Sequence, residues 1–183
     1  MNKTVEQYDA VINKCKSLFF KKNKDYGTAW RVLRTISIAD QIYIKAQRIR
    51  TIQEKKQQLI ADDIPGEFVG MINYAVIGLI QLQLTEDAPW DLPEEQVSAL
   101  YEKQIGDTRS LMENKNHDYG EAWRSMSQEG FVDLILMKLF RIRQILNNEG
   151  ATLVSEGIDA NYQDIINYSV FALILQHEST KEN

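Results

Sequence analysis

Apolar residues recur every three or four positions along most of the chain, which is the spacing of one buried face of an α-helix. The first such face comprises Val5, Tyr8, Val11, Ile12, Cys15, Leu18 and Phe19, and the second comprises Ile38, Ile42, Ala46, Ile49 and Ile52. The segment from about Glu67 to Leu84 is apolar on nearly all sides. No segment alternates as a β-strand does, so the pattern predicts an all-α fold.

Residues at the ends of these segments support the helix boundaries. Thr4 and Gln7 have the spacing of a capping box that would open the first helix. Gly27 is suited to end that helix, because glycine adopts the left-handed conformation without a Cβ penalty. Pro65 is suited to the first turn of the third helix.

The chain repeats itself. Residues 22–31, Lys-Asn-Lys-Asp-Tyr-Gly-Thr-Ala-Trp-Arg, recur as residues 115–124 with eight of ten positions identical and an offset of 93. The same offset relates Lys45 to Lys138 and Arg48 to Arg141, and an offset of 94 relates Asn73 to Asn167. Three blocks in one order indicate an internal duplication.

The duplication predicts two tandem three-helix repeats packed as a pseudo-symmetric helical bundle. We assign residues 1–84 to the first repeat, 85–96 to a proline-containing linker and 97–183 to the second, whose helices are expected near 93–114, 129–147 and 161–177. The apolar third helices are expected at the centre. A duplicated chain of this kind can replace a homodimer of single units.

Composition narrows the classes of function. The net charge of −5 argues against a surface that coats nucleic acid. Cys15 is the one cysteine, which excludes an internal disulfide. The most apolar stretch, 68–84, contains three polar residues and falls short of a membrane span. The N-terminal residues lack the order of a signal peptide, so we expect a cytoplasmic protein.

Cations within apolar helices are the first candidates for chemistry. Lys138 and Arg141 lie three positions apart on a helix with apolar residues all round, and the first repeat keeps Lys45 and Arg48 in the same relation. A buried cation needs a carboxylate or an anionic ligand beside it. Internal ion pairs and a phosphate site are therefore both open interpretations.

Carboxylates near the third helix of the second repeat are the candidate metal ligands. Glu156 and Asp164, with Asn167 one turn further on, offer oxygen atoms of the kind that Mg²⁺ prefers. The first repeat has Asp62 in place of Glu156 but Gly70 in place of Asp164. The second repeat is therefore the expected centre of any chemistry. For Asn167 and its counterpart Asn73, an interhelical hydrogen bond that fixes the helix register is the competing interpretation.

The repeated Asp-Tyr-Gly-x-Ala-Trp-Arg block also has two interpretations. Its aspartate, glycine and aromatic residues could build a turn and fill the core. Alternatively, Tyr119 and Trp123 could stack on a base while Lys115 and Arg124 contact phosphates.

The blocks Lys-Asn-x-Asp-Tyr-Gly, Lys-x-x-Arg-Ile and Asp-x-x-Asn-Tyr resemble the family called nucleotide modification associated domain 1. The resemblance covers both repeats and implies a link to nucleotide metabolism. Glu156, Asp164, Asn167 and Tyr168 match the family pattern, whereas Ala160 stands at one aspartate position. A more distant resemblance is to MazG-like all-α nucleoside triphosphate pyrophosphohydrolases, with Asp164 and Asn167 similar to one of their two metal-binding elements.

These observations lead to two hypotheses. In the first, the protein binds a nucleotide or another small phosphorylated ligand through Lys115, Lys138, Arg141 and Arg124. It could hydrolyse that ligand with Mg²⁺ on Glu156 and Asp164, while Asp118 and Asp164 polarise a water. In the second, it is a non-catalytic helical scaffold or regulatory module whose charges form internal ion pairs.

Overall fold

The computed structural model describes residues 2–60 and 63–181, so Asp62 lies outside the described part of the chain. Six α-helices carry the fold and no strand occurs among the described residues. They are α1 (Asn2–Tyr26), α2 (Thr35–Lys55), α3 (Ile64–Gln83), α4 (Glu94–Tyr119), α5 (Gln128–Asn147) and α6 (Ile158–Lys181). Short 3₁₀ helices, Ala29–Val32 and Ala122–Ser125, follow α1 and α4. The all-α fold and the duplication are confirmed.

The helix ends agree in part with the sequence. Gly27 and Gly120 follow α1 and α4 with φ of +59° and +61°, the left-handed conformation expected of a glycine at a helix end. Asp63 caps α3 by accepting a hydrogen bond from the Gly66 amide, with Pro65 in the first turn. The predicted capping box is wrong, because α1 already begins at Asn2 and Thr4 lies inside it.

The third helices of the two repeats form the centre of the bundle. α3 packs along α6, α2 packs on α3 and α5 on α6, and α1 and α4 each contact both central helices. Gly78 of α3 allows a close approach, because a Cβ there would lie 2.7 Å from the ring of Tyr162 on α6. The tyrosine ring therefore takes the space that a side chain on α3 would need.

Two buried asparagines join the repeats by equivalent hydrogen bonds. Asn73 donates to the carbonyl of Cys15 in its own repeat and accepts from the Tyr101 hydroxyl of the other repeat. Asn167 likewise donates to the carbonyl of Thr108 and accepts from the Tyr8 hydroxyl. The predicted interhelical role of the asparagines is confirmed, and the crossed bonds resemble those across the two-fold axis of a homodimer.

Among the described residues, one helix, Ile64–Gln83, is long and apolar enough by composition to cross a membrane. In this structure, 61% of its most apolar window is buried inside the protein. It lies at the centre of the bundle, packed against α6.

Candidate functional site

Asp164 lies between two lysines in the second repeat. Lys115, at the end of α4, donates to Oδ1 at 2.7 Å, and Lys138 of α5 donates to Oδ2 at 2.5 Å. Asp164 and Lys138 are buried, whereas Lys115 is partly open to solvent. Both carboxylate oxygens therefore carry charge-assisted hydrogen bonds, the strongest class in proteins.

The electrostatics of this cluster follow from the same contacts. Partial burial acts to lower the pKa of Lys115, but its hydrogen bond to Asp164 and the charge of that carboxylate outweigh burial and raise it. Burial, followed by the charge of Asp164, raises the pKa of Tyr168. Glu156 adds a smaller effect on both groups. Lys115 is thus held in its charged form by an acid that the chain itself supplies.

In the first repeat, a carboxylate at a different position pairs with the equivalent cations. Glu67 accepts from Lys45 at 2.9 Å and from Arg48 at 2.7 Å. Its side chain is 10% exposed. In the offset of 94 that relates the third helices, Glu67 corresponds to Asn161, one helical turn before Asp164. The acid that pairs with the cations therefore lies one helical turn earlier on the third helix in the first repeat than in the second.

This shift changes which cation is left without an acid. Each repeat has three equivalent cations: Lys22, Lys45 and Arg48 in the first, and Lys115, Lys138 and Arg141 in the second. Asp164 binds the first two members of its set, and Glu67 binds the last two of its own. Among the described residues, Lys22 and Arg141 make no hydrogen bond or ion pair.

A cavity of about 390 Å³ adjoins the unpaired cation of the first repeat. Lys22 and Lys45 line it together with Gly70, which stands where the second repeat has Asp164. The remaining wall is mostly apolar and aromatic: Leu18, Phe19, Tyr26, Trp30, Leu33, Tyr74 and Ile77. Apolar walls with a few convergent polar groups are typical of a small-molecule site.

Two buried polar atoms in this wall have no hydrogen-bond partner in the described structure. They are Oδ1 of Asn23, an acceptor, and Nε1 of Trp30, a donor. Buried polar atoms in folded proteins are nearly always paired. The equivalent Trp123 Nε1 of the second repeat is unpaired as well, so Asn23 Oδ1 is the unpaired atom that distinguishes this wall.

Arg141 faces a different and more polar space. It lines an open groove of about 610 Å³ with Glu156, Asn161 and the loop 151–155. Neither Lys115, Lys138 nor Asp164 lines this groove, and it offers no aromatic wall. Arg141 is exposed, contrary to its expected burial within an apolar helix.

Trp123 is a core residue in this structure. Its ring stacks on Phe171 at 4.2 Å, and the guanidinium of Arg124 lies over the ring at 4.4 Å. Because both partners lie this close, they occupy its two faces. The hypothesis that Trp123 stacks on a base is therefore not supported.

Arg124 joins the two repeats through its side-chain contacts and is partly exposed. It donates to Glu121 in its own repeat and to Thr4 and Gln7 of α1, and it pairs with Glu178 of α6. This network explains why the Thr4 and Gln7 pattern occurs without a capping box. Arg31, its equivalent, donates to the linker carbonyls of Ala88 and Pro89.

The other predicted residues are not brought to the second-repeat cluster. The side chain of Asp118 is 77% exposed, and its one described partner is His117 at 3.1 Å. Tyr119 is 74% exposed. Sequence reasoning missed Lys22 and Glu67; for Glu67, the available clue was its position one turn before Gly70 on the same helix face.

The model of one protein family, described as nucleotide modification associated domain 1, matches residues 22–82 and 115–175. The two matches coincide with the two repeats and together cover two thirds of the chain. The match begins in each repeat at the lysine that lies at the end of α1 or α4. No curated protein and no solved structure matches the chain.

Proposed function

The chain belongs to the nucleotide modification associated domain 1 family, a domain of unknown function, and from this premise we propose that it binds a small phosphorylated ligand, in particular a nucleotide, in the cavity of the first repeat. One observation carries the proposal. Lys22, a cation with no acidic partner in the described structure, lies with Lys45 at the wall of an aromatic cavity.

The walls of the cavity suit the two chemically different halves of a nucleotide. Lys22 and Lys45 offer ammonium groups to phosphate oxygens. Tyr26, Trp30 and Tyr74 offer aromatic surface on which a base can stack. Trp30 differs here from Trp123, because Ile77 stands at the position of Phe171 and does not form a ring stack.

The described residues give no support for Mg²⁺ as a resident cofactor. No group of three or more histidine, cysteine, aspartate or glutamate side chains within the described ranges could hold a metal ion. Asp164, the expected ligand, has both oxygens bound by lysines. We therefore propose binding without a metal-dependent hydrolytic step, and Mg²⁺ enters only as a condition of the assay.

A second candidate function is a non-catalytic helical scaffold. The closed Lys115–Asp164–Lys138 cluster favours it, because there the buried cations are already neutralised by the chain. In that case the first-repeat cavity has no ligand. We further propose a cytoplasmic location, in line with a soluble protein whose single cysteine is buried and unpaired.

The decisive comparison is between Lys22→Ala and Lys115→Ala, which change equivalent positions. We expect nucleotides to raise the melting temperature of the wild type, with or without Mg²⁺. Lys22→Ala removes a charge-assisted hydrogen bond to the ligand, a loss of about 1.5–3 kcal/mol or roughly 10–150-fold in Kd. Calorimetric titration with nucleoside mono-, di- and triphosphates measures it.

Lys115→Ala is the matched control. It disturbs the cluster around Asp164 and lowers the stability of the unliganded protein, but it should leave the Kd within a few-fold of wild type. If no nucleotide binds, the scaffold function is the correct one. If Lys22→Ala binds as tightly as wild type, the ligand does not use Lys22 and the proposed site in the first-repeat cavity is wrong.

A further inference from the structure

In the second repeat, the carboxylate of Asp164 shows where an anion binds between Lys115 and Lys138. Asp164 contacts Lys115 at 2.7 Å and Lys138 at 2.5 Å. In the first repeat the same helix position is Gly70, and the equivalent lysines, Lys22 and Lys45, both line the cavity there. The first repeat thus keeps the two cations and lacks the acid.

We propose that the phosphate of a nucleoside monophosphate binds between Lys22 and Lys45 over Gly70, and that Asp164 closes the second repeat by taking the equivalent position. This inference rests on the proposed function and adds to it the position, the number and the class of phosphate groups. One ligand binds per chain.

Charge indicates a single phosphate. Two cations, Lys22 and Lys45, line the cavity at this position, whereas Arg48 is not part of its lining. A phosphate monoester carries about −1.5 to −2 at neutral pH. Glu67 already binds Arg48, so a longer polyphosphate would find no further cation in this lining.

Glu67 also keeps the first repeat from adopting the arrangement of the second, in which one acid binds both lysines. It holds Lys45 from one turn further towards the N-terminus of α3, which leaves the Lys22 side open. Lys45 lies across Gly70, with its Cε 2.8 Å from the place of a Cβ there. An aspartate at position 70 would meet only the flexible end of this lysine, which can move to bind it.

The test exchanges the two arrangements between the repeats. Glu67→Asn/Gly70→Asp gives the first repeat the acid of the second, and Asn161→Glu/Asp164→Gly does the converse. Each arrangement already occurs in this protein. Titration calorimetry with a nucleoside 5′-monophosphate is expected to give one site in wild type, none in the first variant and two in the second.

Single variants keep the test decisive if a double variant does not fold. Gly70→Asp should weaken binding at least tenfold, whereas Gly70→Ala, which adds the same Cβ without charge, should stay within a few-fold of wild type. If Lys22→Ala abolishes binding but Gly70→Asp does not, the phosphate lies elsewhere and the inference fails while the proposed function stands.

The ligand class is tested with the same base throughout. In the absence of Mg²⁺, the monophosphate should bind at least as tightly as the triphosphate, and the unphosphorylated nucleoside at least tenfold more weakly. A triphosphate that binds tenfold more tightly would overturn the assignment to a monoester, as would a wild type that binds two ligands per chain.

Discussion

Asp164→Ala is expected to lower the free energy of unfolding by about 3–5 kcal/mol, the cost of leaving a buried charge without its partner. Lys138 is 6% exposed and its ammonium lies 2.5 Å from the lost carboxylate. A domain of this kind has on the order of 5–15 kcal/mol in total. The melting temperature should therefore fall on the order of 10 °C, as measured by calorimetry or circular dichroism.

Two variants separate this explanation from a general loss of packing. Glu67→Ala should cost less, because Lys45 and Arg48 are 28% and 20% exposed and can reach water. Lys138→Met/Asp164→Leu removes both charges and should recover much of the loss. If Asp164→Ala lowers the free energy of unfolding no more than Glu67→Ala does, the ammonium of Lys138 can reach water and is not buried as described.

Gly78→Leu is expected to destabilise the protein by about 3 kcal/mol, the upper end of the usual range for an overpacked core. A Cβ at Gly78 would lie 2.7 Å from the fully buried ring of Tyr162, and this contact lies between the central helices of the two repeats. The ring cannot rotate away without displacing α6. Chemical denaturation gives the change in free energy.

Gly106→Ala is the matched control for this substitution. Gly106 also lies inside a helix, but a Cβ there would have no atom within 4 Å. Alanine in place of glycine should stabilise such a position by roughly 0.5–1 kcal/mol. If Gly78→Leu is neutral, the contact between α3 and α6 is looser than the structure indicates.

Much of the fold could be predicted from the sequence because its causes are local. Helical spacing identified the helices, the 93-residue offset identified the repeats, and Gly27 marked the end of α1. The structure extended α4 and α6 beyond the predicted ranges, to Tyr119 and Lys181. Helix ends depend on packing as well as on local pattern, which explains these differences.

The site was harder to predict because it depends on contacts between helices that are distant in sequence. Sequence alone showed that the buried cations need acids, but not that Asp164 would bind Lys115 and Lys138 at once. It also favoured the second repeat, since that repeat kept more acidic residues. In the structure one of those acids, Asp164, pairs with both lysines, and the cavity lies where the first repeat has Gly70 in place of that acid.

Trp123 and Trp30 also show that contacts between distant helices could not be predicted from the sequence. They occupy equivalent positions in nearly identical blocks, so the same two interpretations were open for both. Phe171 stacks on Trp123, whereas its counterpart beside Trp30 is Ile77, a residue without a ring. The difference arises from one position some 50 residues further along the chain, on the third helix of each repeat.

A crystal structure of the protein soaked with a nucleoside 5′-monophosphate tests the central claim most directly. The account predicts one ligand per chain, with its phosphate in contact with Lys22 and Lys45 over Gly70 and its base against the aromatic wall that includes Trp30. The Lys115–Asp164–Lys138 cluster should be unchanged. A phosphate bound between Lys115 and Lys138, with Asp164 displaced and the first cavity empty, would contradict it.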